Sequence, residues 1–142
     1  MDFVTVNLTP GTFFLNLQLQ KVILKLQEIG YDLNREYDDF LLFKKSNSDV
    51  IKIRRDGSLS YKILAVDKGE KFLQKLFQEL KLITQELNPL YNNLIDINEI
   101  IIYWPNNYDF NSLKFTNYSV DTSNIYDNKY ISILKKKTMY SL

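Results

Sequence analysis

The chain has no histidine and no cysteine. The first absence removes the side chain that most often moves protons near neutral pH. The second removes disulfide frameworks, thiolate nucleophiles and thiolate metal sites together. Glycine is scarce as well: Gly11, Gly30, Gly57 and Gly69 stand far apart, so no glycine-rich loop exists to cradle a phosphate. Carboxylates would have to carry acid–base chemistry alone, and Asp38-Asp39 is their only adjacent pair. Neighbours on a strand point to opposite faces, which places those two poorly for sharing a proton. No serine or threonine has a candidate base close by in sequence, and no acids cluster at metal-binding spacing. The chain reads as non-enzymatic, with no catalytic residue, metal site or cofactor assigned.

Long apolar runs are missing too. No segment approaches the roughly 20 apolar residues of a membrane-spanning helix. Met1-Asp2-Phe3-Val4 lacks the basic start and apolar core of a signal peptide. The expectation is a soluble intracellular protein, in the cytoplasm or an organelle interior, with no membrane partner. Neither sign of charge dominates: the formal net charge is +1, which excludes whole-molecule electrostatic attraction to nucleic acid. Alanine occurs once and lysine outnumbers arginine 15 to 3, a signature of an AT-rich genome and not of a function.

Hydrophobic residues at 45% and charged ones at 25% are globular values that exclude global disorder. A chain of 142 residues makes one domain, able to bury roughly two thirds of its unfolded surface. Its clearest signal is a hairpin. Val50-Ile51-Lys52-Ile53-Arg54 and Leu59-Ser60-Tyr61-Lys62-Ile63 both alternate, with Asp56-Gly57 between them. A two-residue loop would set Ile53 beside Ser60 and mix the faces. A three-residue loop, Arg55-Asp56-Gly57, pairs Ile53 with Leu59 and Ile51 with Tyr61. Ile51, Ile53, Leu59, Tyr61 and Ile63 then share one face, and Lys52, Arg54, Ser58, Ser60 and Lys62 share the other. The three-residue loop is the expected one, with Gly57 left-handed.

Around the hairpin the elements follow from periodicity. Phe3–Leu8 and Asp39–Lys45 read as strands, the second closed by the polar turn Ser46–Asp49. Thr9-Pro10 marks a helix start. Leu15, Leu19, Val22, Leu26 and Ile29 then step helically to a stop at Gly30. The alternation of Phe13, Leu15, Leu17 and Leu19 with polar residues leaves a strand as the alternative over 13–20. Asp67 and Glu70 have the spacing of a cap and its reciprocal acid. Phe72 to Leu87 carries a helical apolar stripe ended by Asn88-Pro89. Beyond it, Ile97–Trp104, Leu113–Val120 and Tyr130–Leu134 read as strands. The fold class is α+β: an antiparallel sheet with two main helices packed on one face. A β-α-β-β-β-α core over 1–88 is followed by a β-rich C-terminal extension over 89–142.

The order of elements in residues 3–87 resembles one repeat of the TATA-binding-protein fold. Val4-Thr5-Val6-Asn7-Leu8 sits where that repeat opens, and Tyr31 comes shortly before its second strand. Ile51-Lys52-Ile53-Arg54-Arg55-Asp56-Gly57 sits where it has an apolar strand and a small-residue turn. The resemblance implies topology only. A second repeat is missing, the family's phenylalanine wedges have no counterparts, and Lys52, Arg54 and Lys62 replace its apolar saddle.

Two surfaces are candidates for contact. The first is a basic sheet face of Lys44, Lys45, Lys52, Arg54 and Lys62, able to follow a phosphate backbone or simply to keep a solvated face polar. The second is the aromatic group Tyr103, Trp104 and Tyr108, a protein hot spot if exposed and core if buried. The leading expectation is a regulatory or binding protein that engages a protein partner; the alternative is a nucleic-acid-binding module using the basic face. Oligomeric state is not readable.

Overall fold

The computed structural model describes residues 3–8, 15–46, 49–64, 69–90, 97, 99–103, 117–121 and 130–135. Among these residues eight strands and two long helices follow in the order β1 (Phe3–Leu8), α1 (Leu15–Glu28), β2 (Asp32–Glu36), β3 (Phe40–Lys44), β4 (Asp49–Arg54), β5 (Leu59–Leu64), α2 (Glu70–Leu87), β6 (Glu99–Tyr103), β7 (Tyr118–Asp121) and β8 (Tyr130–Lys135). All the strands join one sheet in the order β2-β3-β4-β5-β1-β6-β8-β7, and every pairing is antiparallel. The expected α+β class is the observed one. Strand β1 is the seam, pairing with β5 on one side and with β6 of the extension on the other.

The hairpin takes the three-residue loop. Ile53 pairs with Leu59 and Ile51 with Tyr61, the Arg54 N–H donates to the Ser58 carbonyl at 2.9 Å, and Gly57 has φ 90°. An L-residue resists that backbone, which is why glycine closes this loop. Asp56 Oδ1 accepts from both the N–H and the hydroxyl of Ser58, at 2.8 and 2.7 Å.

Residues 15–28 are helical, so the strand alternative fails over that span. Residues 9–14, with the expected start at Thr9-Pro10, lie outside the described ones. The helix stops as its glycine demands. With Gly30 at φ 96°, the Gly30 N–H donates to the Gln27 carbonyl and the Tyr31 N–H to that of Leu26, two of the orphan carbonyls of a helix end. The start of α2 departs from expectation. Its N-cap is Gly69, with no side-chain cap bond among the described residues, and Asp67 lies outside them. Glu70 has other work: its Oε1 accepts the Asn117 N–H at 2.6 Å, tying the helix to the entry of β7.

One strand was not expected. β2 adds a fourth member to the run between the helices, paired to β3 through a bulge between Leu33 and Arg35. Beyond α2, the strands expected over 97–104 and 130–134 are observed as β6 and β8; of the one expected over 113–120 only the end is seen, as β7, residues 113–116 lying outside the described ones.

Period-two alternation sorts β1, β3, β4, β5 and β6. Val4, Val6, Leu8, Leu41, Phe43, Ile51, Ile53, Leu59, Tyr61, Ile63, Ile100 and Ile102 are buried, in one cluster with Val22 and Leu26 of α1 and the apolar stripe of α2. The extension shares this core through Tyr118, whose ring stacks on Phe77 at 5.1 Å. Both helices cover one face. The other face carries the site.

A basic trough on the open face of the sheet

On that second face the ladder brings together residues far apart in sequence. Lys44 and Lys62 flank Val50 from β3 and β5, and Lys52 stands between Leu42 and Ser60. Arg54 lies opposite Phe40, and Thr5 opposite Lys62. The result is an open trough of about 490 Å³, lined by Thr5, Asn7, Leu42, Lys44, Val50, Lys52, Arg54, Ser60 and Lys62. No aspartate or glutamate is among the described residues lining it, and none of its four cations forms an ion pair among the described residues. The nearest cross-strand acid to Lys44 is Asp32, its partner on β2.

Two of the cations rest on aromatic rings. Lys52 Nζ lies 4.1 Å from the Phe40 centroid and Lys62 Nζ 4.6 Å from that of Phe3, a geometry in which the ring face attracts the ammonium. Tyr37 stacks on Phe40 at 4.4 Å, and Arg35 Cζ lies 5.5 Å from the Tyr37 centroid. A ladder of cation, ring, ring and cation therefore closes the β2–β3 end of the trough. Arg55 holds that end in place. From the β4–β5 turn it bonds Glu36 Oε1 at 3.1 Å and the carbonyls of Tyr37 and Asp38, fixing the turn that presents Tyr37. Asp38 and Asp39 are the exposed tip of this hairpin.

The fifth expected member of the basic face is elsewhere. Lys45 follows Lys44 on the chain and by strand parity turns to the helix side, where its Nζ meets Glu79 Oε1 at 3.1 Å. Glu79 also accepts from the buried Tyr31 hydroxyl at 2.6 Å, and the Tyr61 hydroxyl reaches Asp49 Oδ1 at 3.4 Å. Burial first, and then Tyr61 and Glu79 beside Tyr31 and Asp49 beside Tyr61, push both phenols well above the ordinary tyrosine value, although the hydrogen bond with Tyr31 works the other way at Tyr61. Lys45 is thus a structural cation and, contrary to expectation, not part of the basic face.

Of the aromatic candidates, Tyr103 ends β6, its backbone paired to Thr5 and Tyr130. Its side chain, together with Trp104 and Tyr108, lies outside the described residues. Reading the sequence passed over Phe3, Arg35, Tyr37 and Phe40. Phe40 carried a usable signal, since its parity matches Leu42 and Lys44; the others needed the register of β1 and β2.

Among the described residues no three potential metal-ligating side chains gather, and no helix is long and apolar enough to cross a membrane. Compared with family models, curated proteins and solved structures, the chain has no match.

Proposed function

We propose that this is a non-catalytic nucleic-acid-binding domain whose open sheet face follows a phosphate backbone. The supporting observation is the convergence of Lys44, Lys52, Arg54 and Lys62 on one trough with no acid among its described lining residues. A solvated sheet face that merely needs polarity gains from mixing signs, because adjacent opposite charges lower its self-repulsion. Four like charges within a few strand spacings cost repulsion and suit an anionic occupant. Rings interleaved with the cations favour a nucleic acid over an acidic peptide, since bases offer π-faces and carboxylates do not. The near-neutral whole molecule confines attraction to this face. The likeness of residues 3–87 to a TATA-binding-protein repeat enters as topology alone.

The test is fluorescence anisotropy with a labelled oligonucleotide across a salt series. Engagement of three or four phosphates predicts log affinity falling with log salt at a slope of about −2 to −3. Lys52→Glu with Arg54→Glu is expected to cut affinity at least tenfold without moving the thermal midpoint by more than a few degrees. Displacement of the oligonucleotide by polyglutamate at equal charge would leave only an unselective anion surface and sink the reading.

A further inference from the structure

The aromatic rings at the trough's two ends carry the reading one step further. Phe40 sits in the Arg54 row of the ladder on β3, and Phe3 one row beyond Val50 on β1. Between those rows lie three two-residue steps of strand, roughly 20 Å. The cations occupy the middle of that diagonal. From Phe40 the path meets Arg54 and Lys52, passes Lys44 on its β3 side, and runs by Lys62 to Phe3.

The rings are half-buried, and each has an ammonium on its face. A lysine parked on a ring at an exposed site is held only weakly. A phosphate competes well against so weak a hold. When Lys52 and Lys62 swing to a phosphate, they uncover the very faces on which a base could stack. The same side chains that neutralise the backbone thus gate the stacking platforms. Tyr37, exposed at the hairpin tip and already stacked on Phe40, extends the platform at its outer end.

Resting on the nucleic-acid reading above, we propose that the trough selects single strands, laid diagonally from Phe40 to Phe3 with bases stacked on those rings. A duplex keeps its base faces occupied by neighbouring bases and offers the rings nothing. A single strand offers both phosphates and free base faces, independent of sequence, because every base has a π-face. The neutral residues at the inner side of the trough, Thr5, Asn7 and Ser60, supply hydrogen-bonding groups without repelling the backbone.

The experiment compares three probes: a labelled oligothymidylate, an abasic oligomer with the same number of phosphates, and a duplex of the same length. The wild-type chain is expected to bind oligothymidylate roughly tenfold or more tighter than the abasic oligomer, the equivalent of one stacked base. Phe40→Leu keeps apolar bulk without a ring, and Tyr37→Ala alters an exposed side chain. Either is expected to shrink that preference several-fold while leaving the salt slope unchanged. Equal affinity for the abasic and base-bearing strands, or tighter binding of the duplex, overturns base stacking and leaves the basic trough standing. Binding of none of the three overturns the nucleic-acid reading with it.

Discussion

The two faces of this sheet are built from the same strands and treat charge in opposite ways. On the helix side the described polar groups come with partners. Tyr31 and Lys45 share Glu79, and Tyr61 reaches Asp49. On the open side Lys44, Lys52, Arg54 and Lys62 have rings or solvent beside them and no acid in ion-pair reach among the described residues. A covered face must satisfy its polar groups because desolvation is costly. An open face is under no such constraint, so a one-sign cluster there reflects something other than folding. The contrast separates what holds the fold from what the fold presents.

The largest expected effect comes from breaking that contrast on one strand. Ile53 and Lys52 are neighbours on β4 with opposite directions: Ile53 is fully buried, Lys52 half-exposed. Ile53→Ala removes core volume and is expected to cost about 2–5 kcal/mol, a large share of a domain's stability. Lys52→Ala loses one ring contact and is expected to cost less than about 1 kcal/mol. Urea denaturation of the two variants measures both. Similar losses would mean that the open face is structural after all.

Such pairs were legible in the sequence wherever alternation was strong. The parity of Ile51, Ile53, Leu59 and Tyr61 decided the hairpin loop, because a slip by one residue would have exposed all four. Strand β2 was not legible, since Asp-Leu-Asn-Arg-Glu carries one apolar residue and a bulge; its pairing to β3, and not its own pattern, makes it a strand. The site was half legible. Cations on β4 and β5 sorted by parity alone, whereas the rings beneath them came from β1 and β3 through long-range register. Lys45 was grouped with Lys44 although period two already separates adjacent residues.

An intermediate effect concerns pH and belongs to the covered face alone. Tyr31 and Tyr61 have their hydroxyls raised above the ordinary value of 10.0, first by burial. A raised folded-state value means the neutral form is favoured by folding. The stabilisation is complete below pH 10 and drains away as pH rises beyond it, by roughly 1.4 kcal/mol per pH unit for each tyrosine held neutral. Chemical denaturation between pH 9 and 12, where the Tyr31 and Tyr61 phenols ionise readily only in the unfolded chain, is expected to show this loss; the Tyr61→Phe chain should lose less steeply. An unchanged slope would show that these phenols are not what the alkaline limit reports.

The smallest effect is also the sharpest discriminator, because it compares two adjacent lysines. Lys44 points into the trough and Lys45 to Glu79. The Lys45–Glu79 pair is partly exposed, so its loss is worth at most about 1 kcal/mol, and Glu79 keeps the Tyr31 hydroxyl in either case. Lys45→Ala is therefore expected to lower the thermal midpoint slightly and to leave oligonucleotide affinity and its salt slope untouched. Lys44→Ala is expected to do the reverse, reducing the slope by about 0.7 with no thermal change; Asp32 across the ladder already offsets part of its charge, so its affinity loss should be smaller than that of Lys52. Anisotropy and thermal melts on the two single variants read out both axes. If Lys45→Ala weakened binding as much as Lys44→Ala, the anion would be responding to summed charge near β3 and not to a face.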